Sequence, residues 1–71
     1  MIDSERDRLY AISPATDEIL AFDLTGTKVA SLKPAPPAKL EGASALTLHN
    51  GILYVTCAFA DRVVTIDLRK H

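Results

Sequence analysis

The chain has 71 residues, a formal net charge of −1, 48% hydrophobic and 24% charged residues. That length allows one small domain, which buries only roughly 60% of its unfolded surface, and the composition is globular rather than disordered. The near-neutral charge argues against a nucleic-acid binder, which needs a basic face, and no apolar run reaches the roughly 18 residues of a membrane span. Residues 1–10 carry Asp3, Glu5, Arg6, Asp7 and Arg8 without an apolar stretch, so neither a signal peptide nor a membrane partner is expected. A soluble segment of open compartment is the expectation. The single cysteine, Cys57, excludes an internal disulfide, and its alignment with Ser13 (below) predicts a small, packed strand-end residue. His49 and His71 have no ligand partners at a recognisable spacing, so no metal and no cofactor is expected.

In chain order, "MID" at the start reads as the tail of a strand, and Arg8–Ser13 alternates Leu9, Ala11 and Ser13 against Tyr10 and Ile12, the period of two of a strand. "PATDE" supplies turn residues Pro14 and Asp17, and Ile19–Leu24 is the returning strand. A tight turn at Thr25–Thr27 leads to a shorter strand, Lys28–Lys33. The stretch 34–42 interrupts the pattern, because its prolines donate no backbone hydrogen bonds and favour extended, solvent-facing chain. Ala43–Leu48 is a weaker strand. Asn50-Gly51 between alternating hydrophobics is the strongest short hairpin signal, and it joins that strand to Ile52–Cys57. "AFAD" (Ala58–Asp61) separates Ile52–Cys57 from Arg62–Leu68. The expectation is all-β: an antiparallel meander of six strands with no sustained helical period.

A shift of 44 residues lays Arg8–Leu24 over Ile52–Leu68 without a gap, matching Leu9 with Leu53, Tyr10 with Tyr54, Asp17 with Asp61, Asp23 with Asp67 and Leu24 with Leu68. A repeat of roughly 40–45 residues with four strands is the signature of a β-propeller blade. With blade strands lettered A to D outward from the axis, residues 1–33 hold strands B, C and D of a first blade with a remnant of A at 1–3. Residues 34–42 form a Pro-rich inter-blade loop, and 43–71 hold strands A, B and C of a second blade. The chain is thus expected to contain about one and a half consecutive blades of an incomplete propeller.

"RLYAIS…EILAFDLTGTKVASL" and "NGILYVTCAFADRVVTIDL" resemble the repeats of YVTN- and NHL-type propellers, through Leu53-Tyr54-Val55, Asp61, Val63, Ile66-Asp67, Leu9-Tyr10, Asp23 and Thr25-Gly26. The resemblance spans nearly the whole chain outside the proline loop. It implies architecture and, among relatives, either binding of proteins or RNA or lactone hydrolysis of the gluconolactonase kind. WD-repeat propellers are less similar, since tryptophan is absent.

The repeated residues have structural roles in this reading. Tyr10 and Tyr54 offer aromatic faces for sheet-to-sheet packing with a hydroxyl that reaches the rim. Asp17 and Asp61 are placed in turns, where an Asp side chain bonds amides two residues on, and Asp23 and Asp67 cap the next turn likewise. No nucleophile–base pair, phosphate-cradling loop or metal cluster is visible, so the catalytic set is expected to be empty. Glu41 and His49 flank strand Ala43–Leu48 at opposite ends. In a propeller the turns "PATDE" and "AFAD" and the proline loop share one face, which makes Phe59, Asp61 and Asp17 the candidate binding residues.

Three functions are therefore carried forward. The first is a repeat segment with a structural and binding role and no catalytic site of its own. The second is a fragment of a propeller hydrolase of the lactonase kind, and the third a stand-alone small β protein that self-associates. The expected partners are further blades of a parent chain or other copies of the chain through an unpaired edge at 62–68. Strand phase B-C-D-A-B-C predicts that a ring of identical chains would skip D and A at every junction.

Overall fold

A computed structural model describes residues 1–35 and 38–70, with Phe59 described by its backbone alone. Pro36 and Pro37 of the proline loop, and His71, lie outside the described residues. The described residues form seven strands: β1 (Ile2–Asp3), β2 (Arg8–Ser13), β3 (Glu18–Asp23), β4 (Lys28–Leu32), β5 (Ala43–His49), β6 (Ile52–Cys57) and β7 (Arg62–Asp67). Short 3-10 turns follow β6 and β7, at Ala58–Ala60 and Leu68–Lys70, and no α-helix occurs among the described residues.

The all-β expectation holds, but a meander of six strands is not quite the sheet layout. The strands form two antiparallel sheets, β1-β2-β3-β4 and β5-β6-β7, and β4 does not pair with β5. The ten residues 33–42 that separate them in sequence are many more than the roughly two to five of a tight hairpin loop. The remnant at the start is a strand in its own right: Ile2 pairs with Leu9 and Asp3 with Arg8. Met1 extends that ladder, exchanging hydrogen bonds of 2.8 Å in both directions with the Tyr10 backbone.

Alternation sorts each sheet into two faces. In the first sheet, cross-strand rows Tyr10–Ala21–Ala30 and Ile12–Ile19–Leu32 share one face. In the second, the rows are Leu48–Leu53–Ile66 and Leu46–Val55–Val64. These two faces, with Leu40, Cys57 and Leu68, enclose one continuous core. Ile19, Leu53, Val55, Ile66 and Cys57 are its fully buried side chains, each contributing about 1.5–3 kcal/mol of transfer free energy, somewhat less for the smaller cysteine. Cys57 closes β6 as a free, packed thiol, as its alignment with Ser13 suggests.

The stacking has a definite sense. Under the 44-residue shift the Tyr10 face of the first sheet corresponds to the Tyr54 face of the second, not to its Leu53 face. The core therefore joins one face of a repeat to the opposite face of the next. Both remaining faces are uncovered: Leu9, Ala11, Leu20 and Phe22 on the first sheet, and Tyr54, Thr56, Val63 and Thr65 on the second.

Two irregularities adjust the ladders. Val29 is the extra residue where Ala21 pairs with Ala30 but Phe22 with Lys28. Ser44 is extra between the Ala43–Cys57 and Ala45–Thr56 pairs, and its hydroxyl donates to the Thr56 carbonyl at 3.2 Å. Bulges of this kind raise local twist.

Candidate functional site

Three loops of the chain are four residues long and end alike. Residues 4–7, 14–17 and 58–61 connect β1–β2, β2–β3 and β6–β7, and each finishes on an aspartate in the left-handed region: Asp7 at φ 54°, Asp17 at φ 52° and Asp61 at φ 50°. Asp is one of the few L-residues that enters this region at modest cost. A backbone hydrogen bond of 3.3 Å braces two of them at different places: the Asp61 amide donates to the Ala58 carbonyl across its loop, and the Thr16 amide donates to the carbonyl of Ser13, the last residue of β2.

This corrects the expected role of Asp17 and Asp61. Among the described residues neither carboxylate bonds a backbone amide, so what each supplies is backbone conformation. The same signal, an aspartate immediately before a strand, was available at Asp7. Replacing Asp61 with glycine, which enters the left-handed region freely, is expected to leave stability unchanged or raise it by up to about 1 kcal/mol. Urea denaturation of Asp61→Gly checks this, and a marked loss would show that the side chain itself holds the turn.

Asp23 and Asp67 do cap, as the repeat predicts. Asp23 Oδ1 accepts the amides of Thr25 and Thr27 at 2.9 and 3.0 Å and the Thr25 hydroxyl at 2.6 Å. Asp67 Oδ1 accepts the Arg69 amide at 3.0 Å, and the Arg69 guanidinium grips both carboxylate oxygens at 2.9 and 2.8 Å. The Thr25 hydroxyl, then the Thr27 amide, hold the Asp23 carboxyl below its ordinary value of 3.8. The Arg69 side chain does so more strongly for Asp67, and Asp67 in turn raises Arg69. A carboxyl with a depressed folded value stabilises the fold fully above its unfolded value and loses that contribution as pH falls through the folded one. Stability is thus expected to fall as pH drops below about 4, and Asp67→Asn should flatten that slope in denaturation midpoints measured from pH 5 to pH 2.

At the same end of the first sheet sits a buried carboxylate that sequence reasoning missed. Asp3, only 2% exposed, accepts from the Arg6 guanidinium at 3.1 Å, from the Glu5 and Arg6 amides at 3.1 and 3.4 Å, and from the Tyr10 hydroxyl at 3.4 Å. Burial, and then the Asp3 charge, push the Tyr10 phenol above its ordinary value. Tyr10 is buried with its hydroxyl at this rim, whereas Tyr54 is half-exposed on an uncovered face. Arg6 is also where the two sheets meet at this end. A Cβ placed on Gly51 would lie 2.8 Å from Arg69 Cγ and 3.0 Å from Arg6 Nη2.

The candidate binding residues occupy the other end. Thr16 and Asp17 from the β2–β3 loop face Lys33, Pro34, Ala38, Lys39, Leu40 and Glu41 across an open groove of about 620 Å³. Such a volume lies within the range of small-ligand clefts. Glu41 also pairs with Arg62, the first residue of β7 and the neighbour of Asp61, at 3.3 Å. Asp61 itself does not line the groove. The Phe59 backbone sits in the Ala58–Ala60 turn, and its side chain lies outside the described residues. His49 is held at the far end of β5, where the Asn50 side-chain amide meets its Nε2 at 3.1 Å, so it does not converge with Glu41.

The groove is lined by two lysines, two acidic residues, a threonine and the apolar Pro34, Ala38 and Leu40, with the Glu41 carboxylate paired to Arg62 and the Thr16 hydroxyl to Ser13 at 2.9 Å. This chemistry can hold a ligand of mixed charge by ion pairing and hydrogen bonds. No group of three or more His, Cys, Asp or Glu side chains among the described residues is placed to share a metal ion. No family model, curated protein or solved structure matches the chain.

Proposed function

We propose that the chain is a repeat segment of a YVTN- or NHL-like β-propeller, with a structural and binding role and no catalytic set of its own. The observation that carries this reading is the sense of the stacking: two sheets related by a 44-residue repeat are packed face to back, an arrangement that can be continued indefinitely. A sandwich of two unrelated sheets has no reason to obey that rule. The turn chemistry supports it as well, since Asp17 and Asp61 share one backbone conformation and Asp23 and Asp67 share one capping bond. Propellers bind through loops at the ends of their blades, and the groove between Asp17, Lys33, Lys39 and Glu41 is such a place.

The test is a single polypeptide carrying six tandem copies of residues 8–51. A monomeric, closed disc with cooperative unfolding and a scattering profile showing a central channel is the expected result. An open, polymerising or non-cooperative chain would remove the propeller reading.

A further inference from the structure

The uncovered face of the first sheet is built like a buried one. Shifted by 44 residues, its Leu9, Ala11, Leu20, Phe22 and Leu24 fall on Leu53, Val55, Val64, Ile66 and Leu68. Every one of those five is buried in the core of the second sheet, at 6% exposure or less. Their counterparts are apolar in all five places, yet none belongs to the core. Ile2 extends the same face beside Leu9 and is 66% exposed, and Leu24 is 56% exposed. What covers Leu53 and Val55 within the chain is the Tyr10 face. The face equivalent to that cover is the one bearing Tyr54 on the second sheet, and it too is open.

The phase of the strands also permits continuation. β1 fills the first position of the first sheet, so a chain stacked after β5-β6-β7 begins with a strand of the kind that β5 is. Among the described residues the second sheet shows no counterpart of β4, an edge strand at the end of its sheet. The expected skip of two strands shrinks to one, and the missing strand leaves the contact between the inner strands intact.

We infer that a second copy of the chain is the partner of this face: copies stack head to tail, the Leu9–Leu20–Phe22 face of one against the Tyr54–Thr56–Thr65 face of the next. The inference rests on the same face-to-back stacking as the proposed function. It differs from pairing of the β7 edge, because the contact lies on the faces of central strands and leaves edge hydrogen bonds unused. Such an interface is heterologous, so association proceeds past a dimer until a ring closes or continues as an open stack.

Ala11 and Thr56 lie at the middle of the two faces, on the inner strands β2 and β6, and both are exposed. Ala11→Lys and Thr56→Lys therefore place a charge in the contact without entering the core or the β7 edge. Sedimentation velocity of the wild-type chain from micromolar to millimolar concentration is expected to show growing oligomers. Each variant alone, with an unchanged far-ultraviolet circular dichroism spectrum, should associate at least tenfold more weakly. Mixed in equal amounts the two variants should form a dimer that stops there, since each retains one good face and the good faces are complementary. A wild-type chain that stays monomeric throughout overturns the inference, as do variants that associate like wild type or a mixture that remains monomeric. Should a variant lose its β spectrum, Leu20→Ser and Thr65→Lys replace the pair and are judged by the same three outcomes. If the six-copy chain closes while the 71-residue chain remains monomeric, the stacking of copies fails and the propeller reading survives.

Discussion

Leu53→Ala is expected to cost about 2–5 kcal/mol, the range for emptying a buried leucine site. Leu53 is wholly inaccessible, central on β6, between Leu48 on one side and Ile66 on the other. A folded chain of this length holds roughly 4–10 kcal/mol in total, so the variant should have a substantially lower urea midpoint and, at the upper end of the cost, be largely unfolded at room temperature. The informative control is Leu9→Ala, the same residue one repeat earlier. Leu9 occupies the same place in its strand but lies outside the core, and its loss is expected to cost less than about 1.5 kcal/mol. The two values are to be compared at a protein concentration low enough to keep the chains monomeric. Equal losses would mean that the faces have been assigned the wrong way round.

Gly51→Val should destabilise by at least about 2 kcal/mol. Asn50 and Gly51, at φ 51° and 77°, form the two-residue loop between His49 and Ile52, and both central residues of such a loop need the left-handed region. A β-branched residue is a poor occupant of that region. A side chain at Gly51 would in addition meet Arg69 Cγ at 2.8 Å, while the Gly51 carbonyl must still accept the Leu68 amide at 2.9 Å. Gly26→Ala separates the two costs: at φ 91° it carries the backbone strain, but an added Cβ there has nothing within 4 Å. The Gly51 variant should exceed the Gly26 variant in urea denaturation. Because Arg69 is the residue displaced, the Gly51 variant should also flatten the acid-side loss of stability in the manner of Asp67→Asn.

The strands were legible because alternation and turn residues agree along most of the chain. Arg8–Ser13 and Ile52–Cys57 match to the residue, and the others to within one residue at either end, apart from the two-residue β1. β1 was visible only as a remnant, since two residues carry no periodicity of their own and the pairing that defines them is to β2. Local pattern identifies strands, but which edges pair depends on where the segment 34–42 sends the chain. At the candidate site, Asp17 and Asp61 were found for a sound reason and given the wrong task, because a sequence shows that a turn contains aspartate without showing whether side chain or backbone is being used. Asp3 escaped notice because its partners, Arg6 and Tyr10, come together only through the β1–β2 hairpin.

The loops that end on a left-handed aspartate carry a further implication for how this scaffold tolerates change. Their geometry is fixed by the fourth residue, and the first three differ freely: Ser-Glu-Arg, Pro-Ala-Thr and Ala-Phe-Ala. Two of these triplets, 14–16 and 58–60, emerge at the end of the molecule where the groove lies. Variation there changes what the surface presents while the aspartate continues to return the chain to its strand. Under the proposed binding role, specificity would then change by exchanging tripeptides, with the stacked sheets beneath them left as they are.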